Sequence, residues 1–390
     1  MEVNVMTEKI TSINSEMLIW ARMESGLSLD ELPKKMRDRV DGWEKGMDHP
    51  TYKQLKDLGR YYKKPIAIFF FPEPPAMRDL SASFRTISPH NTTTSYHLLI
   101  PLINEARVFQ INLEELHNGE NLAYSNFSAI DFGTDIATMV AHVRNVFNVN
   151  VTEQKNIKRN DDHFEFWREQ FSQIGIYVFK SPFKNNEISG FCLYDETFPV
   201  IYINNSLSFT RQTFTLFHEL CHIMCKTSGI DVIDEDLSNS SFSPEGLHIE
   251  MMCNAFAGAF LVPDDDFREQ VYQKEPTTKF VEELSKSYGV SREVILRKFL
   301  DHNIITRREY QERSAEYTTD YVRRQRKTGE KTSGGDYYNT QASYKGKRYI
   351  ELVFQKYYSN QISLNQTAQY MGMKIPSIRE FAERRGWGTL

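Results

Sequence analysis

Hydrophobic spacing changes character several times along the chain, and the changes mark its elements. From Ser15 to about Leu58 the apolar positions recur at helical intervals with short polar breaks: Met17, Leu18, Trp20 and Ala21, then Leu27, Leu29 and Leu32, then Leu55 and Leu58. The aromatic run Ile66 to Phe71 follows, closed by the proline-stiffened exit Pro72-Glu73-Pro74-Pro75. Thr94 to Leu116, Thr134 to Phe147 and Glu153 to Ile174 predict three further helices. At Gly175 the period shortens. Ile176 to Phe179, Ile188 to Tyr194 and Phe198 to Ile203 predict strands, the last two joined as a hairpin around Asp195-Glu196-Thr197, making a small antiparallel sheet. A helix through Phe214 to His222 comes next, and Phe280 to Leu284 with Tyr288 to Leu300 predicts two helices around a turn. The fold class is therefore α+β and mostly helical. The expected division is 1–75, 76–174, 175–315, a basic linker at 316–348 rich in Arg and Lys around Ser333-Gly334-Gly335, and a small helical tail at 349–390.

Composition narrows the class without naming a function. The 390 residues are 25% charged and 40% hydrophobic, as in globular proteins, and the net charge of -5 gives no general attraction to nucleic acid. No apolar run is long enough to span a bilayer and the start lacks a signal peptide's order, so the expectation is a cytoplasmic protein without a membrane partner. The four cysteines, Cys192, Cys221, Cys225 and Cys253, are too few for a disulfide framework and are expected as reduced, buried small residues.

The chemistry concentrates in His218-Glu219-Leu220-Cys221-His222. Residues four apart share one helix face, so His218 and His222 can offer two imidazole nitrogens to one Zn2+, with Glu219 beside them as a proton acceptor. A hydrolytic zinc wants a third protein ligand. Within Leu247 to Pro263 one helix face carries Met251, Met252, Phe256, Ala259 and Phe260, and the other carries Glu250, Cys253, Asn254 and Ala257. The second face is small and polar, which lets two helices approach and favours Glu250 as the third ligand. His248 and Glu245 are lesser candidates, and Asn254 is placed to orient a ligand. Cys225, about 10 Å along the helix axis from His218, is too far to share the ion with both histidines. Tyr194, Tyr202 and His248 are candidates for stabilising an oxyanion.

Two resemblances extend this reading. Ala21-Arg22 and Gly26-Leu27-Ser28-Leu29-Asp30-Glu31-Leu32, with Trp43-Glu44-Lys45-Gly46, Pro50-Thr51 and Leu55, resemble the five-helix domain of XRE-type helix-turn-helix repressors. Pro33 falls where helix 2 of that domain should run. The resemblance implies a DNA- or protein-binding module at 1–75, with Lys34, Lys35, Arg37 and Arg39 as phosphate contacts. Phe214-Thr215-Leu216, His218-Glu219-Leu220 and His222, with Ile249-Glu250, Cys253-Asn254-Ala255-Phe256-Ala257, Leu261 and Pro263, are similar to the signature of the ImmA/IrrE zinc metallo-endopeptidases. That family usually has Ala at the position of Cys253 and Gly at that of Cys221. The resemblance implies a zincin-like domain at 175–315, His218, His222 and Glu250 as zinc ligands and Glu219 as general base. It further implies a specific protein substrate, a transcriptional repressor or regulator encoded nearby. The alternative it carries is an antitoxin or transcriptional regulator that binds a toxin and keeps a structural zinc.

Overall fold

The computed structural model describes residues 9–74, 99–128, 135–183, 185–232, 244–329 and 336–386. The start of the helix expected from Thr94, the Pro75 end of the exit segment and Ser333-Gly334-Gly335 lie outside them. Among the described residues no helix is long and apolar enough to cross a membrane.

Residues 9–74 form a small helical unit around its own core. A 3-10 turn at Leu29–Glu31 joins helices α1 (Ser15–Glu24) and α2 (Lys34–Glu44), and a second at Ile66–Phe70 follows α3 (Tyr52–Tyr61). Met17, Leu18, Ala21, Val40, Leu55, Leu58 and Phe69 are fully buried there. The half-buried Arg22 makes a two-pronged ion pair with Glu44, at 2.8 and 2.9 Å. Pro33 occupies the N-cap of α2 and not a helix interior, where its missing N–H costs nothing. The segment expected as a second helix is thus reduced to a single 3-10 turn. Lys34, Lys35 and Arg39 are exposed on α2, whereas Arg37 is half-buried and folds back onto Asp30.

The centre of the molecule is a four-stranded sheet of β1 (Tyr177–Ser181), β2 (Ile188–Leu193), β3 (Val200–Asn204) and β4 (Ile230–Val232), in the order β1-β3-β2-β4. β2 and β3 form the expected antiparallel hairpin, but β1 pairs with β3 in parallel, from Tyr177 opposite Val200 to Ser181 opposite Asn204. The sheet is therefore mixed rather than antiparallel, and the short edge strand β4 was not legible from the pattern. Both faces are covered, which explains why its strands read as nearly unbroken apolar runs.

One face carries Ile176, Val178, Cys192, Ile201 and Ile203 in the larger core. Against it pack helices from before the sheet, α6 (Ile136–Phe147) and α8 (Asn160–Gln173), and from after it, α9 (Phe209–Met224) and α10 (Pro244–Leu261). Helices α12 (Thr278–Tyr288) and α13 (Arg292–Asp301) complete this layer through Val281, Leu284, Tyr288, Ile295, Leu296 and Phe299. Short helices α5 (Leu122–Ser128), α7 (Val151–Lys155) and α11 (Asp264–Val271) fill the connections.

The other face presents Tyr177, Phe179, Phe191, Val200 and Tyr202 to a second core, which is shared with α4 (Ile100–Leu116) and the C-terminal helices. Phe109 of α4 stacks on Phe179 at 3.9 Å. The region expected as a basic linker is instead largely helical: α14 runs Arg307–Gly329 and α15 Tyr337–Lys345. Its charges made it look unstructured, but Arg168 reaches from α8 to the carbonyls of Ser343 and Tyr344, at 2.7 and 3.0 Å, and fixes α15 at the sheet edge. The tail helices α16 (Lys347–Tyr358), α17 (Leu364–Met371) and α18 (Ile375–Arg384) then bury Tyr349, Val353, Phe354, Ile378 and Phe381 in the second core.

Candidate metal centre

Helix α9 starts at Ser208, whose hydroxyl accepts from the Arg211 N–H, and ends near Lys226, whose φ of +57° turns the chain back toward the sheet. Its length places His218 to His222 in the buried middle of the larger core. Phe217 on its inner face stacks on Phe260 of α10 at 4.2 Å and meets Trp167 edge-on at 5.1 Å. These rings lock α9 and α10 side by side, and the small polar faces of the two helices meet above them. Two glycines permit close backbone approach. A Cβ on Gly190 of β2 would lie 2.7 Å from Thr215 Cγ2, and one on Gly229 would lie 2.4 Å from the His222 ring.

At this meeting point the Nε2 atoms of His218 and His222 are 3.2 Å apart. Glu250 bridges them, Oε2 at 3.1 Å from His218 and Oε1 at 3.3 Å from His222. The three side chains are 1%, 0% and 3% exposed, so no solvent screens the cluster. The far side of each ring is held as well. His218 Nδ1 is 3.0 Å from Asn254 Oδ1, and His222 Nδ1 is 3.3 Å from Thr227 Oγ1, whose own proton goes to the His222 carbonyl. With both Nδ1 atoms donating to oxygen, both Nε2 lone pairs face each other and a carboxylate.

Such an electron-rich triangle demands a cation. Burial works against charged imidazoles, yet the surrounding carboxylates outweigh it, so His222 is pushed up to about 9 and His218 is also raised. Burial works the other way on Glu250, and the histidines pull it down to about 2. Donor separations of 3.1 to 3.3 Å also match those around an ion with bonds of about 2.0 Å in tetrahedral geometry. The residues present therefore fit a divalent metal such as zinc.

Glu219 stands beside this triangle, fully buried, and neither of its oxygens accepts from an N–H or O–H group. Burial pushes its pKa up to about 7, against the partial opposition of His222 and His218. The Cys192 thiol is next to it and is itself tied down by the Gly229 N–H at 3.3 Å. An acid of that strength with unused lone pairs is suited to take and return protons near neutral pH.

Residues 171–300 match the family model of the IrrE N-terminal-like domain, Peptidase_M78. The match spans about a third of the chain and contains the sheet, α9 and α10 with every residue of the triangle. It supports the ImmA/IrrE resemblance over this segment and marks it as metallopeptidase-like; no curated protein matches the chain.

Within the matched segment, His218, Glu219, His222, Glu250 and Asn254 all converge. Glu245 and His248 do not: both are exposed on the outer side of α10. Tyr202 is buried on the opposite face of the sheet, stacked with Phe191 at 5.3 Å, and so cannot reach an oxyanion beside the histidines. Tyr194 is half-buried at the end of β2. Two features escaped the sequence reading. Asp231 of β4 is 2% exposed and binds Thr215 Oγ1 at 2.8 Å and Arg211 Nη2 at 2.7 Å, tying the edge strand to α9. Cys253 is fully buried, and its sulfur and one nitrogen of each of His218 and His222 all lie within 4.8 Å of one another. The signal for Cys253 was its place on the same helix face as Glu250; its size suggested only filling. Glu250 makes the closer contacts of the two.

Proposed function

We propose that the Peptidase_M78 segment is a zinc-dependent endopeptidase in which His218, His222 and Glu250 hold the metal. What carries this reading is the buried triangle of three metal-donor side chains beside a buried glutamate that accepts from no N–H or O–H group. Zinc held there would supply Lewis-acid polarisation of a peptide carbonyl and acidification of water. Glu219 then accepts the proton of the attacking water, and with a pKa of about 7 it is acidic enough to pass that proton to the departing amine. Asn254 and Thr227 keep His218 and His222 in the tautomer that leaves Nε2 free. The Gly229 backbone, pressed against the His222 ring, prevents that ring from turning away.

The substrate, on this reading, is a specific protein, a transcriptional repressor or regulator, as the ImmA/IrrE resemblance implies. The unit at 9–74, with Lys34, Lys35 and Arg39 exposed on α2, would deliver the peptidase to that protein or to DNA carrying it. The test is co-expression with each neighbouring gene product, comparing wild type with Glu219→Gln and following substrate length. Cleavage abolished by Glu219→Gln is the expected result. Equal cleavage by wild type and Glu219→Gln, or none by zinc-loaded protein whether Cys253 is present or replaced by alanine, would remove the enzyme reading.

A further inference from the structure

We propose that Cys253 is a fourth protein ligand of the same metal, so that the site as folded is closed and the peptidase latent; this rests on the metal reading above. Cys253 lies three residues after Glu250 on α10, about one turn along the same face, and it is fully buried. Its sulfur and the two imidazole donors lie within 4.8 Å of one another. A tetrahedral zinc with bonds of about 2.0 to 2.3 Å keeps its donors about 3.3 to 3.8 Å apart. The difference is of the order of 1 Å, which a small rotation of one side chain covers. Of the other sulfurs nearby, Cys221 lies against Cys253 and Cys192 beside Glu219, and neither belongs to the donor group.

The chemistry favours entry of the thiolate. Zinc deprotonates a coordinating thiol outright and binds sulfur well. Glu250 and a Cys253 thiolate together bring two negative charges to a divalent ion, so the ion and its four ligands carry no net charge where solvent cannot compensate one. Four protein donors are the arrangement of structural zinc sites, whereas a hydrolytic site leaves one position for water. The small residue that the ImmA/IrrE signature usually carries here has no donor atom, so this chain differs from that signature at the one position that can close the ion.

Zinc X-ray absorption on the full-length protein tests the assignment directly. Wild type should show one sulfur scatterer at about 2.3 Å with nitrogen and oxygen at about 2.0 to 2.2 Å. In Cys253→Ala the sulfur should vanish while one zinc per chain remains, and Cys221→Ala should keep it. Cobalt-substituted wild type should show a sulfur-to-metal charge-transfer band in the near ultraviolet that Cys253→Ala lacks. Turnover per bound zinc should rise severalfold in Cys253→Ala. A metal surrounded only by nitrogen and oxygen in wild type would overturn the closed site and leave the three-ligand peptidase standing. Sulfur persisting in Cys253→Ala would overturn the choice of residue. A wild-type protein that binds no zinc would overturn both readings together. The wild-type spectrum decides the matter even if the alanine variant fails to fold, and Cys253→Ser gives a second, near-isosteric variant.

Discussion

Glu219 should make the protein less stable as the pH rises, and replacing it should relieve that cost. In the unfolded chain its carboxyl titrates near the ordinary value of 4.5, whereas in the folded protein burial pushes it up to about 7. Between those values the folded state keeps a proton that the unfolded state has released, so stability falls with rising pH across the window and stays low above it. Each pKa unit corresponds to about 1.4 kcal/mol, so the ionised Glu219 costs metal-free protein about 3 kcal/mol at pH 8.5 but under about 1 kcal/mol at pH 5. Glu219→Gln cannot ionise. Its amide brings a roughly constant desolvation offset at both pH values, which cancels when the two are compared. At about 2 to 4 °C per kcal/mol for a domain of this size, the chelator-treated variant should gain about 4 to 10 °C over wild type between pH 5 and pH 8.5. Differential scanning calorimetry at the two pH values measures it. Zinc should shrink the difference, because a nearby cation favours the carboxylate. A difference in Tm between variant and wild type that is the same at both pH values would refute the argument, since it would mean that Glu219 carries no buried charge to relieve.

Three other perturbations probe the frame around the site. Gly229→Ala places a methyl group where the His222 ring now lies, so it should weaken zinc binding at least about 10-fold in a chelator competition, whereas Gly258→Ala on α10, with open space around it, should leave zinc binding unchanged. Lys345 is buried and held down to about 8 from its ordinary 10.5, so the unfolded chain binds the extra proton between those values and stability rises as pH climbs through them. Lys345→Met should accordingly raise stability by about 1 to 3 kcal/mol at pH 7, with the gain gone above about pH 10.5, read from urea denaturation at both pH values. Arg168→Ala removes the donors to the Ser343 and Tyr344 carbonyls and should speed limited proteolysis between α14 and α15 without lowering zinc content.

The site was more legible in the sequence than its setting. The His218 and His222 spacing and the small face holding Glu250 and Asn254 are local facts of helix geometry, and local geometry survives in a sequence. Pairing sense does not. Nothing in Tyr177 to Ser181 announces a parallel partner, because a strand buried on both faces shows the same apolar run whichever way its neighbour runs. The tail was expected as a small helical segment, but not as the cover of the far side of the sheet. Docking of that kind rests on contacts far apart in the sequence, such as Tyr349 against Phe109 and Phe179, which no local pattern records. Cys253 is the buried small residue expected, but a cysteine's size fits a filler and its sulfur fits a ligand, so its place beside the histidine nitrogens is known only from distance.

The arrangement of the two cores bears on how the site is kept in shape. Phe217 and Phe260 hold α9 to α10 from below, Asn254 and Thr227 hold the far sides of the histidine rings, and His222 is also pressed from above. That restraint comes from the edge of the sheet. Gly229 approaches His222 because β4 follows immediately, and β4 stays in place because Asp231 binds Thr215 and Arg211, both on α9 itself. Arg211 is anchored further by the Ser189 hydroxyl of β2, at 2.8 Å. The metal-facing helix and the edge strand thus fix each other through a buried aspartate one turn away from the histidines. A change at Asp231 would leave every metal donor in the chain and still loosen the ring of His222, which makes this aspartate as much a part of the centre as the ligands it never touches.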